Sequence, residues 1–170
     1  MLINSSVNQQ SVVASYNATP QSCPASGSSL PIQTVTPTLR NNSALSFSGL
    51  FFQVRQVEYT TAQGGQQPIL CNPSHGNGGV GSLFLIADSS LAGGNSQLDP
   101  GEELAASFQI GLPVRAQYRF FVDLYSAGAA AATLDGGAPV GDYLGRFEYT
   151  LDADSPLSGQ HMLFLPLINR

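Results

Sequence analysis

At 170 residues the chain is one domain by size, and its 42% hydrophobic content is enough to build a core and excludes wholesale disorder. Only 10% of residues are charged, lysine is absent, all six positive charges are arginine, and the net charge is −5. That balance offers no basic stripe for phosphates, which argues against a nucleic-acid partner, and no stretch approaches the ~20 apolar residues of a membrane span.

Ser, Thr, Asn, Gln and Gly supply the polarity instead. A surface of neutral polar groups repels its copies weakly and suits dense packing or extracellular life. Met1-Leu2-Ile3 is too short for the apolar region of a secretory leader. The expectation is therefore either a mature form or an export route without such a leader.

Residues 1–31 read as an extended polar arm and linker, rich in Ser, Asn, Gln and Pro. Its apolar cluster is Val12-Val13-Ala14-Ser15-Tyr16, in which Val12, Ala14 and Tyr16 alternate toward one face. A β-prone stripe on a long linker can add to the sheet edge of a neighbouring copy, or fold back onto its own sheet.

From Pro31 onward, strand patterns dominate, and residues 32–170 read as a single β domain. Ile32 to Arg40 is β-branched and broken by Pro37, which suits an edge strand. In Leu45 to Thr61 the apolar parity switches twice. Gly49 stands at the first switch, as a bulge or a crossing between sheets requires. Gln63-Gly64-Gly65-Gln66 is a turn, Ile69-Leu70-Cys71 a short strand, and Asn72 to Gly79 a loop.

Leu83 to Ala87 is the next strand. After a loop, Leu104, Ala106, Phe108, Ile110 and Leu112 fall on one face of what reads as a central strand. Tyr118, Phe120, Val122 and Leu124 point inward from the strand after it. The Ala129–Ala132 run reads as loop, and Asp135-Gly136-Gly137 as a turn. Tyr143 to Asp152 is a strand with Phe147, Tyr149 and Leu151 on one face. His161 to Ile168 is almost wholly apolar and reads as a last strand, with Pro166 placing it at an edge. Eight or so short strands with Gly/Pro punctuation and no convincing helix predict an all-β, antiparallel β-sandwich.

Cys23 and Cys71 stand in turn-like sequence outside any Cys-x-x-Cys motif. One reading is a disulfide, and with it an oxidising compartment. The other is two unpaired cysteines, one of them buried.

Several pieces resemble the immunoglobulin-like or fibronectin-III-like modules attached to bacterial secreted and surface proteins. They are Arg40-Asn41-Asn42-Ser43 before Gly49-Leu50-Phe51-Phe52-Gln53-Val54, the strand into Cys71-Asn72, Leu98-Asp99-Pro100-Gly101-Glu102, and Phe120-Phe121-Val122-Asp123-Leu124. The resemblance spans residues 38–127, about half the chain. It implies an immunoglobulin-like sandwich serving as spacer, assembly unit or adhesive and sugar-binding accessory, and rarely as a catalyst. The N-terminal arm and the strands after Gly128 depart from an ordinary spacer.

Candidate chemistry is sparse. Asp88, Asn95, Asp99 and Glu102 concentrate oxygen atoms in one loop and could ligate Ca²⁺, the one candidate cofactor. The alternative is that Asp99-Pro100-Gly101-Glu102 is a turn and nothing more. His75 and His161 have no Gly-x-Ser-x-Gly elbow to serve, so no enzyme activity is expected. There is no Trp to build a sugar platform, and the tyrosines fall mostly in core patterns. Tyr125 and Phe121 are the outward exceptions. Glycosylation triplets begin at Asn4, Asn17 and Asn41.

The expectation from all this is an extracellular or cell-surface structural protein that partners copies of itself. It would form a filament or surface layer through strand addition by Val12, Ala14 and Tyr16. The alternative is a carbohydrate- or ligand-binding accessory module with glycans as partners.

Overall fold

A computed structural model describes residues 6–91, 93–128 and 141–153 of the chain. Among the described residues, eleven strands run in chain order: β1 (Val7–Cys23), β2 (Ser28–Asn41), β3 (Phe47–Ser48), β4 (Leu50–Tyr59), β5 (Ile69–Leu70), β6 (Leu83–Leu85), β7 (Gln97–Leu98), β8 (Glu103–Ala105), β9 (Phe108–Gly111), β10 (Tyr118–Ser126) and β11 (Asp142–Leu151). Short 3-10 turns occur at Pro24–Ser26 and Asp88–Ser90. The protein is nearly all β, and every strand pairing among the described residues is antiparallel.

One sheet has the order β1-β2-β9-β5, with β8 also on β2; the other has the order β11-β10-β4-β6. Their inner faces meet in a single core. Phe108 of the first sheet contacts Phe52 and Phe120 of the second, with ring centroids 5.1 Å apart in both cases. Edge-to-face contacts of this kind add to the apolar burial that drives the two sheets together.

The free arm is not what the structure holds. Residues 7–23 form β1, paired with β2 from Val7↔Asn41 to Cys23↔Ser28. Val7, Val12 and Ala14 are buried in the chain's own core, with Tyr16 packed against it. The low hydrophobicity of residues 6–31 misled because a strand on the sheet surface needs only alternate apolar residues. Val12, Ala14 and Tyr16 are thus engaged within the molecule, and the fold-back alternative is the one realised.

Pro37 was a second misleading signal. It lies inside β2, an interior strand, not at an edge. Its position falls where β2 changes partner from β9 (Ile32 to Val35) to β8 (Thr38 to Arg40), and its carbonyl accepts from the Ala106 N–H. The N–H that proline lacks is therefore missing at a break in the ladder, where no donor is needed. The same break divides the expected central strand 104–112 into β8 and β9. Its parity holds throughout: Leu104, Ala106, Phe108, Ile110 and Leu112 are all buried.

Gly49 is where the chain leaves the small β3–β7 ribbon for β4, with φ at 60°. A Cβ there would lie 2.0 Å from the Gly128 carbonyl oxygen, so only glycine fits the crossing. The inward residues of β10 and β11 named above are buried as their alternation requires. The Ala129–Ala132 run, the Asp135–Gly137 turn and the apolar segment His161 to Ile168 lie outside the described residues.

Candidate functional site

Most charged side chains of a strand protein face water, so a buried carboxylate on the outward side of a sheet is unusual. Asp123, on β10, is buried, with its side chain 4% exposed. It points outward because Val122 and Leu124 on either side fill the core.

Two β-bulges bracket it. On β4 the register with β10 shifts between Phe121↔Gln56 and Val122↔Val54, leaving Arg55 as the extra residue. On β11 it shifts between Leu124↔Gly145 and Tyr125↔Tyr143, leaving Leu144 extra. An extra residue reverses the parity of all that follows. The first bulge turns Val57 and Tyr59 inward after Val54, and leaves Arg55 outward beside Asp123.

The result is a compact ion cluster. Arg146, directly opposite Asp123 across the ladder, donates from Nε to Oδ1 at 2.7 Å and from Nη2 to Oδ2 at 3.1 Å. Arg55 Nε lies 3.4 Å from Oδ2, and its Nη1 donates to Gln53 Oε1 at 3.3 Å. The hydrogen bonds that Arg146 donates to Asp123 hold its guanidinium above its ordinary pKa. The carboxylate lies beneath and the guanidiniums above it, with side-chain exposures of 45% for Arg55 and 36% for Arg146.

One row along the strands, the same face carries an aromatic ladder. Leu85, Phe51, Tyr125 and Tyr143 stand opposite one another across β6, β4, β10 and β11. Phe51 and Tyr125 stack at 5.3 Å between centroids, and Tyr125 meets Tyr143 edge-on at 5.7 Å. Phe51 is fully buried at one end, whereas Tyr143 is 49% exposed at the other. Burial, then the neighbouring Asp123 charge, raises the phenol pKa of both Tyr125 and Tyr143. The face thus offers an apolar ring, a pinned pair of cationic forks, and no nucleophile–base pair among the residues described.

The residues singled out from sequence fall elsewhere. Cys23 and Cys71 form a disulfide, with sulfurs 2.09 Å apart, joining the tip of the β1–β2 hairpin to the end of β5. Gly111 lies against it: a Cβ there would sit 2.7 Å from Cys71 Sγ and 3.3 Å from Cys23 Sγ.

In the acidic loop, both Asp99 oxygens accept hydrogen bonds, one from Ser46 Oγ and one from Asn95 Nδ2. Those bonds lower the Asp99 pKa. Glu102 Oε2 accepts from the Asp99 N–H at 2.8 Å, and Asn95 Oδ1 from the Gln97 N–H at 3.1 Å. The arrangement is a turn locked by its own side chains. Asp88 contributes backbone to the Asp88–Ser90 turn, and its side chain lies outside the description. Among the described residues no group of three or more His, Cys, Asp or Glu side chains could hold a metal ion.

His75 bridges to Leu83 through its backbone and closes the Asn72–Gly79 loop; His161 lies outside the described residues. Asn41 is buried, and its Nδ2 donates to the Leu45 and Leu98 carbonyls, so that triplet is a structural knot closed to modification. Asn17 is exposed, and Asn4 lies outside the described residues. Among the described residues no helix is long and apolar enough to cross a membrane.

Sequence reasoning passed over Arg55, Asp123, Arg146 and Tyr143. The signal available was parity: Asp123 shares a face with Phe121 and Tyr125, which had been read as outward. The pairing of Asp123 with Arg146, and the bulge that delivers Arg55, had no such signal. No protein-family model matches the chain, and neither a curated protein nor a solved structure is significantly similar to it.

Proposed function

We propose that the chain is an immunoglobulin-like β-sandwich module of a secreted or cell-surface protein. In this reading it works by binding, through the outward face of the β11-β10-β4-β6 sheet. The strand orders β1-β2-β9-β5 and β11-β10-β4-β6 support the fold type. They follow the A-B-E-D and G-F-C-C′ orders of a variable-type immunoglobulin sandwich, with the departure that β5 precedes β6 in the chain. The Cys23–Cys71 pair supports an oxidising compartment.

The observation that carries the binding reading is the junction of half-exposed Tyr143 with the Arg55–Asp123–Arg146 cluster. A ring beside fixed polar forks is what recognition of a polar, ring-bearing ligand requires, because stacking supplies affinity and the forks supply orientation. Self-assembly by a donated N-terminal strand draws no support from the fold, since β1 already fills its own sheet. Accessory binding, the alternative weighed at the outset, becomes the leading function.

The test applies the full chain to immobilised glycans of diverse composition, alongside Tyr143→Ala and Val13→Thr. Val13 is exposed on β1, in the other sheet, and serves as a control surface. Retention that Tyr143→Ala abolishes and Val13→Thr leaves intact is the expected result. A wild type that binds nothing, or equal retention of all three proteins, removes the reading.

A further inference from the structure

We infer that this face takes an acidic polysaccharide, with a uronic-acid ring lying on Tyr143 and its carboxylate held by Arg55 and Arg146. The inference rests on the binding reading above and names its ligand.

The vertical order of charge decides the class. Asp123 is buried at the bottom of the cluster, and the two guanidiniums that cover it are the groups solvent reaches. A ligand arriving from outside therefore meets a cationic layer, on a chain whose net charge is −5. Asp123 occupies Nε and Nη2 of Arg146, which fixes the plane of the fork and leaves its outer edge for another acceptor. Arg55 is held more loosely, by Asp123 on one side and Gln53 on the other. Two oriented forks side by side match a planar carboxylate, and they lose little conformational entropy on binding because they are already held.

Tyr143 fixes the rest of the ligand. Its ring is braced edge-on from one side by Tyr125, which is itself stacked on Phe51. A pyranose ring presents an apolar C–H face that suits such a surface. Glu148 follows Arg146 by two residues on the same face of β11 and opposes Phe121. It bounds the cationic patch on that side, so the anionic group must lie toward Tyr143. An isolated small anion would use the arginines alone; the adjoining ring is what favours a sugar acid.

The experiment is calorimetric titration of the full chain with an unbranched polyuronate oligosaccharide and with the same oligosaccharide reduced at its carboxyl groups. Wild type should bind the acidic form roughly tenfold more tightly than the reduced form, with the gap closing as salt is raised. Tyr143→Ala should weaken binding of both forms roughly tenfold. Arg55→Gln leaves the Arg146–Asp123 pair in place, so it should narrow the gap between the two forms without reversing it, and an unchanged gap would remove Arg55 from the site. Circular dichroism on each variant confirms that it is folded.

Equal binding of acidic and reduced forms by wild type overturns the inference and leaves the binding face standing. So does failure to bind either form while another glycan is bound in a Tyr143-dependent way. Undiminished binding by Tyr143→Ala overturns the inference and the reading together.

Discussion

Asp123 pays its desolvation cost through two partners, and those partners are unequal. Arg146 holds it with two short hydrogen bonds, whereas Arg55 stands 3.4 Å away and nearly half in solvent. Removing Arg146 leaves a buried carboxylate without its main partner, so Arg146→Ala should cost about 3 kcal/mol. Arg55→Ala should cost less than about 1 kcal/mol, as exposed pairs do. Urea unfolding of both variants measures this directly, and equal losses would show that the cluster is not layered as described.

The buried tyrosines make a second claim at this scale. Tyr118 donates to Gln33 Oε1 and Tyr149 to Gln9 Oε1, each at 2.6 Å. Burial raises the pKa of both well above the ordinary phenol value. A group whose folded pKa is raised binds its proton more tightly when folded. Its stabilising contribution is whole below the ordinary tyrosine pKa of ~10 and is lost as pH climbs above it. Alkaline titration should therefore release the phenolate absorbance of Tyr118 and Tyr149 together with unfolding, in one cooperative step. Their ionisation in a still-folded protein near pH ~10 would contradict that.

At the scale of elements, β1 has changed its meaning. If residues 7–23 served a neighbour's sheet, deleting residues 1–20 would be expected to leave a folded monomer. The structure reverses the expectation, because the deletion strips Val7, Val12 and Ala14 from the core and exposes the edge of β2. Loss of two buried valines alone is worth several kcal/mol, so the truncated chain should be largely unfolded by circular dichroism. A folded product with the wild-type melting temperature would restore the free arm.

The disulfide makes the complementary claim. It closes a sequence separation of 48 residues, worth about 4 kcal/mol in the chain-entropy account, and reduction should lower the melting temperature on the order of 10 °C. An unchanged melt after complete reduction would sink that estimate. What the chain order disclosed and hid at this scale follows from one rule. Alternation reveals which face of a strand is buried, so the inward residues of β8 to β11 were readable. It does not reveal which strand lies alongside, so β1 was taken for linker and Pro37 for an edge residue.

For the whole molecule, the same limit explains the site. Two antiparallel sheets and a disulfide could be anticipated from strand count, turn residues and two cysteines. The cluster could not, because Arg55, Asp123 and Arg146 are far apart in sequence and meet only through register. Two single-residue bulges set that register, and only the parity switch inside β4 betrayed one of them. The face they build is outward, cationic at its surface and aromatic at its rim, while β1 is committed to the fold.

A proposed working face and a structural strand thus lie on different sheets, and one measurement addresses both. Aromatic and arginine side-chain NMR spectra of the full chain would be followed during titration with a polyuronate oligosaccharide. The predicted outcome is that shifts gather at Tyr125, Tyr143, Arg55 and Arg146 while Tyr16 on β1 stays unmoved. Shifts centred on β1, or signal loss that tracks protein concentration as copies assemble, would contradict it.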